Sequence, residues 1–427
     1  MIIHVVQPGE TVQSIAEYYG MSADRLVQDN GLSRPYNLVA GQSLVIVKPE
    51  LIYTVKEGDT LENIADYYNV SLVQLLANNP YLSDREYLYP GDILAINYTR
   101  KGLLTTHGNT VPIINKATLR KTLPYLTYIS VLNYTATNSG EIISYHDDTE
   151  IIQISKAYGV APLMLLTTLT IQGEANLRAD FDLLLNEDFQ NKQIENILTI
   201  LKSKGYFGLN LSLQYISLTN IELYEDYFTK VTDRLNQEGY PVFVTINPNI
   251  DEANNEVTFQ KVDYSIINRL AQNIIFTSYE WAFNINPPSP ITSVYQTELF
   301  LNYILNFIPS NKIIIGIATL GYDWELPYVA GISEVNVISF DNVNELANDY
   351  GAIIRFDNES QTPYFTYTAD EVINHVVWFI NSQTINAVLE MVSKYNLKGI
   401  SIWNITVFNP QLWLIVNSQY EIEKVIV

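Results

Sequence analysis

The sequence lacks cysteine, is poor in basic residues and has no long apolar run. Without cysteine it can form neither a disulfide framework nor a reactive thiolate. Lys and Arg total 24 against 46 acidic residues, and the resulting net charge of −22 argues against nucleic-acid and anionic-membrane partners. No stretch of about 18 apolar residues occurs. The N-terminal MIIHVVQPGE has no charged head before an apolar core, so we predict neither a membrane span nor a signal peptide.

Histidine is also scarce. The four histidines, His4, His107, His146 and His375, are dispersed without metal-ligand spacing, so we expect no metal site and no cofactor. At 427 residues and 47% hydrophobic content, the chain is long enough for one barrel-sized domain and one or two small modules. Its acidity favours a neutral or cationic ligand.

The first hundred residues contain an internal repeat. HVVQPGETVQSIAEYYGMSADRLVQDN aligns with the later YTVKEGDTLENIADYYNVSLVQLLANN. Each unit has the pattern strand, helix, helix, strand, and the predicted helix caps are Thr11 in the first unit and Asp59 or Thr60 in the second. We therefore predict two small βααβ modules, at 1–48 and 52–97.

Both units resemble LysM domains nearly end to end, most closely in the Gly-Asp-Thr-Leu turn of the second. In that family the turn after the first strand and the loop after the second helix form a shallow groove for N-acetylglucosamine polymers. The resemblance implies a groove formed by Gly9, Glu10, Thr11, Val12, Asn30, Gly31 and Leu32 in the first module, and by Gly58, Asp59, Thr60, Leu61, Asn79, Pro80, Tyr81 and Leu82 in the second. The alternative is that Gly58 and Asp59 only make the turn and cap the helix.

The remainder, 103–427, alternates strand-like and helix-like segments, which is typical of an α/β fold with parallel strands. Strands are predicted at 126–133, 141–145, 162–168, 208–215, 242–246, 274–279, 313–319 and 399–403. Eight strands over this length predict a closed (β/α)8 TIM barrel with its site at the C-terminal ends of the strands. The runs AIIRF, YFTYT and HVVWF predict a small antiparallel α+β insertion at about 324–398.

One predicted strand has an unusual polar face. In GYFGLNLSLQY, three leucines alternate with Asn210, Ser212 and Gln214, so one face is apolar and the other is polar but uncharged. Taken alone, this pattern indicates a half-buried strand with one solvated side.

The large domain resembles the barrel of family 18 glycoside hydrolases, in particular the spore-cortex N-acetylglucosaminidases that carry LysM modules. The resemblance is carried by TLPYLTYIS, GVAPLMLLTTLT, TSYEWAF, GYDWELP and ISIWN. In those enzymes the fourth strand carries D-x-D-x-E, whose positions are held here by Asn210, Ser212 and Gln214. The resemblance also implies that Tyr279 donates a hydrogen bond to the acetamido oxygen of the substrate. It further implies that Trp403 forms the floor of the subsite at which cleavage occurs. The implied cleft contacts are Gln214, Tyr279, Glu280, Trp281, Tyr322, Asp323 and Trp403, with Trp324 beside them.

The missing carboxylates decide the predicted function. Family 18 enzymes use substrate-assisted catalysis, in which the glutamic acid protonates the leaving oxygen and the middle aspartate orients the acetamido group. Gln214 has no proton to give, and Ser212 is short and uncharged. We therefore predict no catalytic residues, and a structural protein of the spore surface or cell wall that binds peptidoglycan or a similar glycan.

Two alternatives stay open. The first is an active glycosidase whose acid is relocated to Glu280 or Asp323, both next to aromatic residues that could raise the pKa of a carboxyl. The second is an assembly scaffold that contacts other spore-surface proteins, for which 31 tyrosines and a charged fraction of 16% are favourable.

Overall fold

The computed structural model of the chain describes residues 1–34, 36–85, 87–168, 182–213, 221–248, 250–253, 256–277, 287–329, 332–333, 335–370 and 372–426. Within these ranges, no helix combines the length and the apolar composition that crossing a lipid bilayer requires.

Each N-terminal module is a two-stranded antiparallel sheet with two helices, in the predicted βααβ order. The elements are β1 Ile2–Val5, α1 Val12–Tyr19, α2 Ala23–Asn30 and β2 Ser43–Ile46 in module 1, and β3 Leu51–Thr54, α3 Leu61–Tyr68, α4 Leu72–Asn78 and β4 Ile93–Asn97 in module 2. Thr11 caps α1 by accepting a hydrogen bond from the N–H of Ser14 at 3.1 Å. Thr60 caps α3 in the same way through the N–H of Asn63, also at 3.1 Å. Each cap satisfies an amide that the first helical turn leaves without a partner.

The large domain contains the remaining elements. Up to the insertion they are β5 Leu103–Thr110, α5 Lys116–Thr122, β6 Tyr128–Ala136, β7 Ile142–Ser144, α6 Thr149–Ala157, β8 Ala161–Thr167, α7 Glu187–Lys204, β9 Gly208–Leu213, α8 Ile221–Gln237, β10 Val242–Ile246, β11 Asp251–Ala253, β12 Glu256–Thr258, α9 Ser265–Leu270, β13 Ile274–Phe276, α10 Val294–Ile304 and β14 Ile313–Ala318. The insertion and the C-terminal part are β15 Leu320–Leu326, β16 Val335–Ser339, α11 Phe340–Asp349, β17 Arg355–Asp357, β18 Thr362–Ala369, β19 Ile373–Trp378, α12 Ser382–Tyr395, β20 Gly399–Trp403, α13 Pro410–Gln419 and β21 Glu421–Ile422.

Eight parallel strands close a barrel in the order β5-β6-β8-β9-β10-β13-β14-β20, and β20 pairs with β5. The predicted (β/α)8 barrel is confirmed, with a correction at its start. The sequence pattern does not predict β5, because LLTTHGNT is mostly polar. The segment predicted at 141–145 contains β7, which pairs antiparallel with the end of β6 and is not part of the closed ring.

The N-terminal end of the barrel is closed. Tyr128, Leu163 and Phe243 form an apolar cluster there, and Val425 and Ile426 of the C-terminal tail pack against it. Strand β21 holds this tail in place by pairing with the start of β5. The opposite end, where the strands terminate, is therefore the end at which a ligand site is expected.

The insertion is a five-stranded antiparallel sheet in the order β16-β15-β19-β18-β17. The runs AIIRF, YFTYT and HVVWF overlap β17, β18 and β19, as predicted. Helix α11 covers one face, where Val343 and Ala347 pack against Phe365 and Val377. The other face is turned toward the end of the barrel, because Trp324 of β15 packs there with residues of the barrel strands.

Helix α13 joins both modules to the barrel. The side-chain amide of Gln411 donates to the carbonyl oxygen of Ser43 at 2.9 Å and to Oδ1 of Asn30 at 3.1 Å in module 1. The amide of Asn417 donates to Oδ1 of Asn78 at 2.9 Å in module 2. Both amides are buried, so the two modules are held at defined places along one helix.

Module 1 also contacts the insertion. The N–H of Ile354 donates to the carbonyl oxygen of Ala40 at 3.0 Å. Gly41 has a φ of +88°, and a Cβ added to it would lie 1.9 Å from the carbonyl oxygen of Ile354. Gly91 is the equivalent residue of module 2; its φ is +98°, and an added Cβ would meet nothing within 4 Å. The backbone conformation favours glycine at both positions. Only at Gly41 does a close contact with the insertion also leave no room for a side chain.

We expect Gly41→Ala to destabilise the protein more than Gly91→Ala. Both substitutions cost about 1 kcal/mol because of the positive φ. Gly41→Ala also pushes module 1 away from the insertion, at a further ~1–3 kcal/mol. Urea unfolding measures the difference, and hydrogen exchange should show the loss of protection in module 1. Equal destabilisation by the two variants would contradict the contact.

Candidate functional site

Strand β9 directs its polar side chains into the barrel. Leu209 and Leu211 lie on the outside, in the apolar core shared with the helices. Asn210 and Ser212 face the opposite way and are buried inside. The strand predicted here is confirmed over Gly208–Leu213, and Gln214 lies outside the described residues.

A neutral hydrogen-bonded network fills the centre of the barrel around Asn210. Its Nδ2 donates to Oγ of Ser130 at 3.1 Å, and Oγ1 of Thr245 donates to its Oδ1 at 2.9 Å. The ring of His107 lies between Ser130, 2.7 Å from Nε2, and Ser401, 2.8 Å from Nδ1. Burial lowers the pKa of His107 to about 3, so the ring is neutral near neutral pH. Every member of this network is therefore uncharged.

Within their described bounds, the eight barrel strands carry no carboxyl side chain, because none of them contains Asp or Glu. Amide and hydroxyl groups such as those of Asn210 and Ser212 exchange hydrogen bonds with a ligand but do not transfer a proton at ordinary pH. Nor do the described residues include a group of three or more His, Cys, Asp or Glu side chains that could hold a metal ion.

Three aromatic residues meet at the open end of the barrel. Trp403 of β20 joins Tyr322 and Trp324 of β15 in one apolar cluster, and the ring centres of Tyr322 and Trp324 are 5.6 Å apart. Trp324 is fully buried, whereas Trp403 and Tyr322 remain 8% and 7% exposed. Trp324 is thus a core residue, and only the other two retain some surface for a ligand. The predicted contacts Tyr279, Glu280 and Trp281 lie outside the described residues.

Asp323 points away from this end. It lies between Tyr322 and Trp324 on β15, so its side chain is on the opposite face of the insertion sheet. There its carboxylate accepts a hydrogen bond from the hydroxyl of Tyr367 at 2.6 Å and lies 3.0 Å from Nδ1 of His375. This placement differs from the expected cleft position, because Asp323 lies on the face of β15 opposite to Tyr322 and Trp324.

The side chains of Asn30 and Asn79, two residues predicted to line the LysM grooves, each stabilise the fold of their own module. Nδ2 of Asn30 donates to the carbonyl oxygen of Val45 at 2.9 Å, and the N–H of Val45 donates back to Oδ1 at 2.6 Å. Asn79 makes the same pair of bonds with Ala95, both at 2.8 Å. Both residues are buried. Each amide ties the end of the second helix to the closing strand, so these side chains are already occupied.

The carboxylates of Glu10 and Asp59 accept hydrogen bonds from backbone N–H groups of their own turns. Glu10 accepts from the N–H of Gln7 at 2.7 Å, and Asp59 accepts from the N–H of Lys56 at 2.7 Å. These backbone hydrogen bonds are the main reason that the pKa of both carboxyls is lowered. The geometry supports the alternative that the acidic residue makes the turn.

The other predicted groove residues differ in exposure. Gly9, Thr11, Gly31, Gly58 and Thr60 are exposed, Leu32, Leu61, Pro80 and Tyr81 are partly exposed, and Val12 and Leu82 are buried. The exposed and partly exposed members are those that a ligand can reach.

The network partners of Asn210 are not identified from the sequence. His107, Ser130, Thr245 and Ser401 are each a polar residue on a different barrel strand. Ser130, Thr245 and Ser401 are each one polar residue between apolar neighbours, while His107 lies in a mostly polar run, and neither pattern identifies a partner until the register between strands is known.

Comparison with known proteins covers the whole chain. The profile described as glycosyl hydrolases family 18 matches residues 109–407, and the LysM domain profile matches residues 4–47 and 53–97. The protein YdhD of Bacillus subtilis (strain 168) is 30% identical over 420 residues, covering 97% of this chain and 98% of YdhD. The cortical fragment-lytic enzyme of the same organism is 28% identical over 429 residues, with 99% of each chain covered. The crystal structure of the Bacillus cereus spore cortex-lytic enzyme SleL matches with a TM-score of 0.80 and 27% identity, covering 99% of this chain and 98% of SleL. The resemblances found in the sequence are thereby confirmed.

We expect the stability of the barrel to depend on pH through His107. Its pKa is about 3 in the folded chain and about 6.5 in an unfolded one. Because only the unfolded chain takes up this proton as the pH falls through that window, the free energy of unfolding decreases. Removing the group with His107→Gln should reduce the stability difference between about pH 7 and about pH 4.5 by about 2 kcal/mol. Urea unfolding at the two pH values measures this difference.

The control is His146→Gln, at an exposed position. It should keep the pH dependence of the wild type. If His107→Gln keeps that dependence as well, the histidine at the centre of the barrel does not titrate as described.

Proposed function

The chain belongs to the family 18 glycosyl hydrolases, and from this membership we propose a glycan-binding protein of the spore surface or cell wall that does not hydrolyse its ligand. The observation that carries the proposal is the set of residues on β9. Asn210 and Ser212 face the barrel interior, and Gln214 follows them in the sequence. The frame that would hold a sugar is retained, while the groups that would cleave it are replaced.

Hydrolysis by the substrate-assisted route needs two carboxyl groups. The first protonates the leaving oxygen, and its loss alone costs about 10²- to 10⁴-fold in rate. The second orients the acetamido group and stabilises the cation that forms from it. Gln214 has no acidic proton, and Ser212 is too short and has no charge to stabilise a cation. Since residues that act as a unit fail together, the double loss leaves little catalysis.

The surroundings of Asn210 support a neutral residue at this position. Its Nδ2 donates to Ser130 at 3.1 Å, a bond that an ionised aspartate could not donate. None of the eight strands, as bounded in the structure, carries Lys or Arg to pair with a carboxylate, and the imidazole of His107 is neutral. An unpaired buried charge costs several kcal/mol. The interior is therefore better matched to the asparagine than to the aspartate of the hydrolases.

The two LysM modules support the glycan part of the proposal. The ligand is an N-acetylglucosamine-containing glycan such as peptidoglycan, held by the exposed turns at Gly9 and Thr11 and at Gly58 and Thr60. Contacts with other spore-surface proteins would place the protein in a larger assembly. The acidic surface disfavours additional binding to nucleic acid.

The proposed contacts in the barrel cleft come from both sides of the open end. Tyr322 and Trp403 retain exposed surface there. Gln214, Tyr279, Glu280 and Trp281 complete the proposed set. Asp323 is left out of it, because its carboxylate is bound on the far face of the insertion sheet.

A second candidate is an active hydrolase whose acid is elsewhere. It is favoured by relatives that are named as cortical fragment-lytic and spore cortex-lytic enzymes and that match nearly the whole chain. Asp323 is tied to Tyr367 and His375, which leaves Glu280 as the candidate acid.

We expect the wild-type protein to be retained on insoluble peptidoglycan and to release no product. Mass spectrometry after long incubation with N-acetylglucosamine oligomers and spore-cortex fragments should detect no new reducing end. The double variant Ser212→Asp with Gln214→Glu should gain measurable hydrolysis, because it supplies both carboxyl groups. Gln214→Glu alone is the matched control and should gain less, since the acetamido group stays unoriented.

Turnover by the unmodified protein would contradict the proposal. In that case Glu280→Gln should abolish activity and Asp323→Asn should not. Activity that survives in both variants would exclude the relocated acid. A folded protein that is not retained on peptidoglycan would instead favour the assembly scaffold.

A further inference from the structure

A single row of side chains crosses the face of the insertion sheet that is turned toward the barrel end. In the strand order β16, β15, β19, β18 and β17, the register places opposite one another Val337, Tyr322, Trp378, Tyr364 and Arg355. Residues that pair directly across neighbouring strands project from the same face of a sheet. Trp378 identifies the face, because it packs against the apolar cluster that contains Tyr322 and Trp403. We call these five side chains the insertion row.

The middle of the insertion row is aromatic. The rings of Tyr364 and Trp378 are stacked, with their centres 4.6 Å apart and an angle of 28° between their planes. Both side chains are partly exposed. In the described part of the chain, neither the hydroxyl of Tyr364 nor the indole N–H of Trp378 has a hydrogen-bonding partner. Each residue therefore offers a glycan an apolar ring for its C–H groups and an unused hydrogen-bond donor.

Arg355 ends the insertion row on the edge strand β17, where it is exposed. Among the residues that the structure describes, its guanidinium has neither an ion pair nor a hydrogen bond. Asp357 lies two residues further along the same face, but its carboxylate accepts from the N–H of Ser360 at 2.7 Å and from its hydroxyl at 2.5 Å. On a chain with a net charge of −22, this cation is available to an anionic group of a ligand.

The insertion row continues the candidate cleft. Tyr322 belongs to the row and also to the aromatic cluster at the barrel end, together with Trp403. From Tyr322 to Arg355 the row crosses three strand spacings, or about 14 Å. A ligand at the barrel end that also contacts Arg355 must therefore be a chain of several sugar units.

We propose that the insertion row binds a glycan strand that extends from the barrel end across the insertion sheet, and that Arg355 pairs with a carboxylate of an N-acetylmuramic acid unit in that strand. The inference rests on the glycan binding proposed above and adds a second binding surface and the chemical feature that it selects. A strand of N-acetylglucosamine alone has no carboxylate and leaves the guanidinium unmatched.

The test uses two probes that differ in charge. They are a peptide-free tetrasaccharide of alternating N-acetylglucosamine and N-acetylmuramic acid, and the same tetrasaccharide with its carboxyl groups converted to methyl esters. In calorimetric titrations of the full-length protein, the acid should bind about tenfold more tightly than the ester. The reason is that a carboxylate forms a charge-assisted hydrogen bond with a guanidinium, which an ester cannot form.

Three variants assign this preference to one side chain. Arg355→Gln should reduce it to about twofold or less, because the charge is lost. Arg120→Gln makes the same change at an exposed residue of α5, outside the insertion, and should keep the preference. Arg355→Lys retains the charge and should keep most of the preference, which shows that Arg355→Gln does not act through misfolding.

The aromatic part of the insertion row has its own readout. Tyr364→Phe removes a hydroxyl and keeps the stacked ring. It should weaken the binding of acid and ester equally, by about threefold, because one hydrogen bond to the glycan is lost. Unchanged affinities for both probes in this variant would exclude the row from the binding surface.

Two results would overturn the contact at Arg355: equal binding of acid and ester by the wild type, or the same preference in Arg355→Gln and Arg120→Gln. Retention of the same preparation on insoluble peptidoglycan separates these results from failure of the proposed function. A protein that is retained there without preferring the acid overturns this inference alone.

Discussion

The packing of helix α13 between the barrel and the two modules fixes the position of every candidate binding surface in the protein. Val45 of module 1 and Ala77 of module 2 belong to the same apolar core as Leu412 of this helix. Separating them would expose apolar surface, which costs a free energy of about 25 cal/mol per Å² of exposed area. The buried amides of Gln411 and Asn417 add direction to this contact, because a shifted helix would leave them without partners. The LysM turns and the barrel end are therefore held at set distances from one another.

Inside the barrel, the need to satisfy buried polar groups links residues that are far apart in the sequence. A single exchange of glutamate for glutamine in an active hydrolase would leave its two aspartates in place. Here Asn210 and Ser212 are also uncharged, and the neutral ring of His107 connects hydroxyl groups of two strands near them. None of the eight barrel strands, within the bounds described, carries Lys or Arg. Uncharged residues therefore occupy interior positions on several strands. This is expected when the whole interior is matched to neutral groups, and it is not expected when a single position has been changed.

The sequence predicts the barrel where its strands are apolar. The predicted bounds of β10 and β20 agree with the structure, because both strands are short and mainly apolar runs. Strand β5 is missed because its inward residues Thr105, His107 and Asn109 are polar, and their partners are far away in the sequence, in the C-terminal tail and on β20. The short segment at 141–145 is correctly predicted to contain a strand, β7, but its antiparallel pairing depends on register that local patterns do not encode. The orientation of Asp323 is likewise not encoded locally, since it depends on how β15 pairs and on which face of the insertion sheet the residue lies.

The duplicated modules show how far a repeat predicts function. Asn30 and Asn79 are equivalent and make the same bonds to their closing strands, so the residues that maintain the fold are repeated. The preceding residues, Asp29 and Asn78, are equivalent too, but Asp29 pairs with Arg25 while Asn78 accepts from Asn417 of α13. The barrel is asymmetric, and each module meets a different part of it. Similarity between the repeats therefore predicts two modules of one fold. It does not predict their contacts with the barrel, because different residues of α13 bind the two modules.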